Sequence, residues 1–87
     1  MPRVEIYTKA FCPYCSRALA LLNTRGVTID EYDITMGGPK RAEMIARADG
    51  RTSVPQVFIG DVHVGGSDDL AAAQHSGELD RLLTAAA

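Results

Sequence analysis

The sequence predicts an α/β fold in which strands and helices alternate along the chain, and two observations support this prediction. Apolar and polar residues alternate over Arg3–Thr8 and again over Thr28–Ile34, which is typical of half-buried strands. Between these segments apolar residues recur at helical spacing, so the three together form a strand–helix–strand unit. The length of 87 residues allows one hydrophobic core, and we expect residues 1–87 to form a single domain.

The helix of this first unit has recognisable ends. Its apolar residues are Ala18, Leu19, Leu21 and Leu22. Pro13 suits the first helical position, because the amide that proline lacks would have no helical partner there. Gly26 is the expected C-cap, since glycine readily adopts the left-handed conformation that ends many helices.

The second half of the chain begins with a helix and a hairpin. Pro39 starts the helix and Lys40–Asp49 continues it. Two apolar segments, Gln56–Ile59 and Val62–Val64, then flank the two-residue turn Gly60-Asp61. This pattern is typical of a β-hairpin, because glycine adopts the positive φ that such tight turns require.

A helical region interrupted by a glycine follows the hairpin. Ser67 is the expected N-cap, because its side-chain oxygen can accept a hydrogen bond from a free amide of the first turn. Two aspartates follow and favour the positive end of the helix dipole. We expect a helix over Leu70–His75 to break at Gly77, before a last helix over Glu78–Leu83.

Composition and charge argue against several classes of protein. Hydrophobic residues make up 46% of the chain and charged residues 23%, as in an ordinary globular domain. The formal net charge is −2 and the nine Lys and Arg residues are scattered, so no basic surface for nucleic acid is expected. No apolar run approaches the roughly 18 residues of a membrane-spanning helix, and the first residues lack the apolar region of a secretory signal. We therefore expect a cytoplasmic protein that binds neither nucleic acid nor a membrane.

The residues that indicate chemistry are the two cysteines of the segment Cys12-Pro13-Tyr14-Cys15. This segment lies where the first helix begins, and there a thiolate is stabilised by the helix dipole and by amides that lack a helical partner. Lys9 adds a positive charge three residues upstream. Because the thiolate is the nucleophilic form of cysteine, Cys12 is the candidate catalytic nucleophile. Cys15 lies one helical turn further on and can attack the sulfur of Cys12 in return.

Two other interpretations of the cysteine pair are weaker. A structural zinc site needs four ligands, and His63 and His75 are the only histidines that could complete one. We therefore expect no metal site. A structural disulfide would enclose just two residues, and so short a loop removes little entropy from the unfolded chain. The residues favour redox chemistry.

Three short motifs follow one another along the chain. They are Tyr7-Thr8-Lys9 leading into the cysteine pair, Ser53-Val54-Pro55 before the hairpin, and Gly65-Gly66-Ser67-Asp68-Asp69 before the penultimate helix. Together they resemble the glutaredoxins, in particular the small bacterial dithiol members with a CPYC active site, and the resemblance covers nearly the whole chain. It implies a thioredoxin fold, with a four-stranded mixed sheet, helices on both faces and a cis peptide bond before Pro55.

The resemblance also implies a binding site for the tripeptide glutathione. The residues at the matching positions are Lys9, Tyr14, Ser53, Val54, Pro55, Gly66, Ser67 and Asp68. The amides of Ser67 and Asp68 would bind the γ-glutamyl carboxylate at a helix N-terminus, and the Asp68 side chain would bind the ammonium group. Pro55 lacks an amide hydrogen, which leaves the backbone before it free to pair with an extended peptide. Lys9 would meet the glycyl carboxylate, whereas Arg41 is more typical of a solvated helix residue.

By this resemblance, the chain is a glutathione-dependent thiol–disulfide oxidoreductase that reduces protein disulfides and glutathione mixed disulfides. Cys12 would attack a disulfide sulfur in both reactions, and Cys15 would be required for protein disulfides alone. Glutathione would be the reducing co-substrate, without a tightly bound cofactor. The partners would be disulfide-containing or glutathionylated proteins, and the protein would be a monomer.

Two alternatives stay open within this resemblance. Some glutaredoxin-like redoxins take electrons from thioredoxin reductase, but they lack the acidic helix start that Ser67-Asp68-Asp69 provides here. An iron–sulfur scaffold would share a cluster between two subunits through Cys12 and glutathione. Pro13 argues against a scaffold, because proline at this position generally accompanies redox activity in the family.

Overall fold

The computed structural model describes residues 2–84, which form four strands and four helices. The strands are β1 (Val4–Thr8), β2 (Ile29–Asp33), β3 (Gln56–Ile59) and β4 (Val62–Gly65). The helices are α1 (Pro13–Asn23), α2 (Pro39–Arg47), α3 (Ser67–Ser76) and α4 (Glu78–Thr84). Within residues 2–84, no helix has the length and apolar character needed to cross a membrane. The order of elements along the chain is the predicted one.

The four strands form one mixed sheet in the order β2-β1-β3-β4. β1 and β2 run parallel, with Val4 opposite Ile29 and Thr8 opposite Asp33. β3 runs antiparallel to both β1 and β4, so the hairpin and the strand–helix–strand unit share one sheet. This topology confirms the predicted α/β fold class.

Apolar side chains cover both faces of the sheet. On one face, the helices α1, α3 and α4 contribute Ala18, Leu22, Leu70, Leu79 and Leu83 to the core. On the other face, Met44 of α2 lies in a cluster with Tyr7 and Phe58. Successive residues of a strand point to opposite faces, which is why Ile6 belongs to the first core and Tyr7 to the second. The helices on both faces confirm the arrangement that the resemblance implies.

Two helices end earlier than their sequence predicts. α1 ends at Asn23 with Thr24 as its C-cap, so the prediction of Gly26 as the C-cap is wrong. The Thr24 hydroxyl donates to a carbonyl of the last turn at 2.6 Å, and Gly26 makes a left-handed turn afterwards with a φ of 67°. α2 ends at Arg47, because Asp49 has a left-handed φ of 56° that cannot continue the helix.

The helix α3 begins one residue earlier than predicted. Gly66 is its N-cap and Ser67 is its first helical residue, so the prediction of Ser67 as the N-cap is wrong. The side chain that caps this helix start is Asp69, whose Oδ2 accepts the Gly66 N–H at 2.9 Å. The observed bond therefore joins the N-cap amide to a carboxylate of the first turn, instead of a first-turn amide to the Ser67 side chain.

A polar network on the α2 face of the sheet includes a nearly buried carboxylate. Arg47 donates to Glu5 Oε1 at 3.1 Å and to the Tyr7 hydroxyl at 2.8 Å. The Arg47 guanidinium also lies 4.0 Å from the centre of the Phe58 ring. Tyr32 donates to the other oxygen of Glu5 at 2.8 Å. Burial raises the pKa of Glu5, but the hydrogen bonds from Arg47 and Tyr32 outweigh it and hold the pKa below its ordinary value.

We predict that Arg47→Met lowers the free energy of unfolding at neutral pH by about 3 kcal/mol, because Glu5 is left without its ion pair. This loss should shrink on acidification. Folding lowers the pKa of Glu5 from its ordinary value of 4.5, so the Glu5 carboxylate stabilises the fold fully above that pH. This stabilisation is lost as the pH falls through the folded-state pKa of Glu5. The measurement is urea unfolding from neutral pH down through the folded-state pKa of Glu5. Arg41→Met on the same helix is the control. A loss that is equal at every pH would contradict the assignment.

Candidate active site

Cys12 is the N-cap residue of α1. Pro13 is the first helical residue, and the amide of Ser16 donates to the Cys12 carbonyl at 3.1 Å. The amide of Cys15 donates to the Cys12 sulfur at 3.2 Å. The sulfur therefore lies at the positive end of the helix dipole and accepts a hydrogen bond from an amide without a helical partner. Both features stabilise a thiolate.

The second cysteine has a different environment. Cys15 is 3% exposed, whereas Cys12 is half-buried, and both thiols are free. Burial raises the pKa of Cys15 to about 12, and the hydrogen bond with Cys12 and the charge of Glu31 act in the same direction. A hydrogen bond from the backbone amide of Lys9 offsets part of this rise. A thiol with so high a pKa stays protonated near neutrality, so Cys12 is the better placed of the two to attack a substrate.

A cavity of about 330 Å³ opens beside the two cysteines. Its lining includes the predicted site residues Lys9, Cys12 and Cys15 together with Thr8, Phe11 and Glu31, which were not predicted as site residues. The Thr8 hydroxyl donates to the Glu31 carboxylate at 2.8 Å, and both residues line this cavity together with Cys15. The structure thus brings Lys9 to the same cavity as Cys12.

Two aromatic side chains flank Cys12. Phe11 precedes it with a left-handed φ of 56°, which is strained for a bulky residue, and its side chain is fully exposed. Tyr14 follows in the first turn of α1 and is 56% exposed. Exposed aromatic side chains therefore lie directly before Cys12 and two residues after it in the sequence.

A second cavity, of about 200 Å³, gathers most of the predicted glutathione-binding residues. Those that line it are Tyr14, Ser53, Val54, Pro55, Gly66, Ser67 and Asp68. Lys9 lies in the first cavity instead, and Arg41 lines neither of the two. The Val54–Pro55 peptide bond is cis, as the resemblance implies. The loop before β3 and the start of α3 therefore line one cavity together with Tyr14.

Arg51 and Asp69 also line the second cavity, although the sequence did not mark them as binding residues. Arg51 Nη1 lies 3.2 Å from Asp69 Oδ2. The Gly66 amide and Arg51 hold the pKa of Asp69 below its ordinary value, against the effect of burial. A Cβ on Gly65 would collide with this carboxylate, and the φ of 115° there also favours glycine. An ion pair thus joins Asp69 at the start of α3 to Arg51, and no local sequence pattern predicts this pair.

The arrangement suits thiol–disulfide exchange next to the second cavity. One sulfur is half-buried at a helix N-terminus and accepts the amide of Cys15, and the second sulfur is buried one helical turn further on. Across residues 2–84, no three His, Cys, Asp or Glu side chains are grouped as metal ligands. His75 is exposed on α3, and His63 is hydrogen-bonded to Gln56.

Comparison with known proteins identifies the family. The glutaredoxin family profile matches residues 4–64. The chain is 55% identical over 83 residues to Glutaredoxin 3 of Escherichia coli (strain K12), covering 95% of this chain and 99% of that protein. The solution structure of glutaredoxin from Brucella melitensis is similar with a TM-score of 0.81 and 52% identity, covering 95% of this chain and 89% of that one. The crystal structure of the buckwheat glutaredoxin–glutathione complex has a TM-score of 0.83 and 28% identity, covering 95% of this chain and 77% of that one. With the cysteine pair at the start of α1, these matches show that the chain belongs to the glutaredoxin family of thiol–disulfide oxidoreductases.

Proposed function

We propose that this protein reduces protein disulfides and glutathione mixed disulfides, with glutathione as the reducing co-substrate. The observation that carries the proposal is the difference between the two sulfur atoms. Cys12 accepts an amide hydrogen at 3.2 Å at a helix N-terminus, whereas Cys15 is buried with its pKa raised to about 12. One sulfur can attack a disulfide that arrives from solvent, and the other can react with a bond formed at Cys12.

Glutathione binds with its γ-glutamyl end in the second cavity and its glycyl end at the first cavity. The amides of Ser67 and Asp68 in the first turn of α3 bind the γ-glutamyl carboxylate, and the Asp68 carboxylate binds the ammonium group. The Val54 backbone pairs with the extended peptide, and Lys9 meets the glycyl carboxylate. The remaining lining residues are Tyr14, Ser53, Pro55 and Gly66. The similarity to the buckwheat glutaredoxin–glutathione complex supports this assignment.

Reduction of a protein disulfide uses both cysteines. The Cys12 thiolate attacks one sulfur of the substrate disulfide, so that a mixed disulfide forms and the other substrate sulfur leaves as a thiolate. Cys15 then loses its proton to solvent and attacks the Cys12 sulfur. This step forms the Cys12–Cys15 disulfide and releases the second substrate thiolate. Two glutathione molecules reduce this disulfide and are themselves oxidised to glutathione disulfide.

Reduction of a glutathione mixed disulfide uses one cysteine. The Cys12 thiolate attacks the glutathionyl sulfur and the protein substrate leaves as its thiolate. The thiolate of a second glutathione then attacks the glutathionyl sulfur held by Cys12. Glutathione disulfide forms, and Cys12 leaves as the thiolate with which the cycle began.

We also propose that the protein works in the reducing cytoplasm. We further propose that it is a monomer and that its residues 1–87 form one domain. All strands of residues 2–84 belong to one sheet, which supports the single domain. A cysteine pair with a catalytic role suits a compartment that keeps thiols reduced. The exposed rings of Phe11 and Tyr14 can contact protein substrates that carry an accessible disulfide or a glutathionylated cysteine.

A coupled assay with a glutathionylated protein tests the proposed function. NADPH should be consumed with glutathione and glutathione reductase, and not with thioredoxin reductase in their place. Turnover with thioredoxin reductase alone would assign the chain to the glutaredoxin-like redoxins. Anaerobic purification gives a second readout, for which we expect a colourless monomer, whereas a brown dimer would indicate an iron–sulfur scaffold.

A further inference from the structure

A chain of side-chain hydrogen bonds runs from the edge strand of the sheet to the loop that lines the second cavity. His63 Nε2 lies 2.6 Å from Gln56 Oε1. Gln56 Nε2 in turn donates to the Ser53 carbonyl at 3.1 Å and lies 3.3 Å from the Ser53 hydroxyl. His63 belongs to β4 and Ser53 to the loop before β3, so the contacts link two separate parts of the fold.

The chemistry of the groups sets the direction of these hydrogen bonds. The Ser53 carbonyl can only accept, so the amide nitrogen of Gln56 must face it and the amide oxygen must face His63. His63 Nε2 therefore carries a hydrogen and donates it. The imidazolium form also has a hydrogen on Nε2, so protonation of His63 leaves this donor in place.

Burial and ring stacking restrict the side chains that form these hydrogen bonds. Gln56 is fully buried, which leaves its amide few other partners. The His63 ring stacks on Phe58, its cross-strand neighbour, with ring centres 4.7 Å apart and planes 20° apart. Phe58 is itself 2% exposed. The hydrogen bonds through Gln56 therefore link Ser53 to His63 on the edge strand β4.

We propose that His63 and Gln56 are positioning residues that hold Ser53 and Val54 in the conformation that receives glutathione. This inference rests on the proposed glutathione site. Without the His63 donor, the buried Gln56 oxygen loses its partner and the amide loses the constraint that directs its nitrogen at Ser53. Part of the interaction energy with glutathione must then order the loop, which weakens binding without changing the sulfur chemistry at Cys12.

His63→Phe tests the proposal, because phenylalanine keeps a ring that can stack on Phe58 but donates no hydrogen bond. We expect the KM for a glutathionylated peptide to rise about five- to tenfold, with kcat within about twofold of wild type. His63→Gln should restore the KM, since its amide nitrogen can reach the same acceptor. His75→Leu, which alters an exposed histidine of α3, is the matched control and should leave both constants unchanged.

Thermal unfolding shows whether each variant is folded, and His63→Leu supplies a second donor-free side chain if phenylalanine does not fit. A wild-type KM in a folded donor-free variant would overturn the proposal. So would a glutamine variant as impaired as the phenylalanine variant, because the role would then be packing.

Asp68→Asn tests the binding site separately, since Asp68 lies outside the hydrogen-bonded chain. If it raises the KM and His63→Phe does not, the positioning role fails and the site stands. If Asp68→Asn leaves the KM unchanged, the site fails and the positioning role fails with it.

Discussion

Cys12→Ser is expected to abolish reduction of both protein disulfides and glutathione mixed disulfides, with a loss on the order of a thousandfold or more. In the proposed mechanism both reactions begin with attack by the Cys12 thiolate, and a serine hydroxyl is not ionised near neutrality. Cys15 cannot take over this step, because it is 3% exposed and its pKa is raised to about 12. Initial rates with a glutathionylated peptide and with a protein disulfide are the measurement.

The same variant provides its own control for folding. Serine is a favourable N-cap residue, and its oxygen can accept the Cys15 amide that the sulfur accepts at 3.2 Å. The melting temperature of Cys12→Ser should therefore stay close to that of the wild type. Substantial activity in either assay, in a variant that melts normally, would contradict the assignment of Cys12 as the nucleophile.

Cys15→Ser is expected to separate the two reactions. Reduction of glutathione mixed disulfides should continue, because a second glutathione completes that cycle at Cys12. Reduction of protein disulfides should fall by at least about a hundredfold at low glutathione, since no internal thiol remains to release the bound substrate. Mass spectrometry should then detect the mixed disulfide between Cys12 and the substrate.

The comparison of the two single variants is what decides the roles of the sulfur atoms. Equal losses in both reactions for Cys15→Ser would show that Cys15 supports the chemistry of Cys12 itself. Unimpaired reduction of protein disulfides would show that external glutathione releases the substrate faster than Cys15 does. Either result would remove the division of labour between an attacking and a resolving cysteine.

The sequence allowed prediction of the features that depend on local patterns. The alternation over Arg3–Thr8 and the Gly60-Asp61 turn predict strands because both signals act over a few residues. The position of Cys12 at the start of α1 follows from Pro13, which suits a first helical turn. The order of the elements is confirmed for this reason, whereas the mixed sheet is what the resemblance to the glutaredoxins implies.

The features that escaped prediction depend on contacts between distant residues. Arg51 reaches Asp69 across 18 positions, and Thr8 reaches Glu31 across 23, and no local pattern marks either pair. Serine is favoured at N-caps and the sequence therefore predicts Ser67 at that position of α3, whereas Gly66 occupies it and the Asp69 carboxylate accepts its amide. Sequence patterns indicate which residues can cap a helix or form an ion pair, and the tertiary fold determines which of them come into contact.

Timed alkylation tests the central claim, that Cys12 is the reactive sulfur and Cys15 the protected one, most directly. The reduced protein is treated with iodoacetamide at neutral pH, and peptide mass spectrometry follows each cysteine. Cys12 should be modified on the order of a hundredfold faster than Cys15, because Cys12 is more exposed and the pKa of Cys15 is raised to about 12. Equal rates, or faster modification of Cys15, would contradict the account.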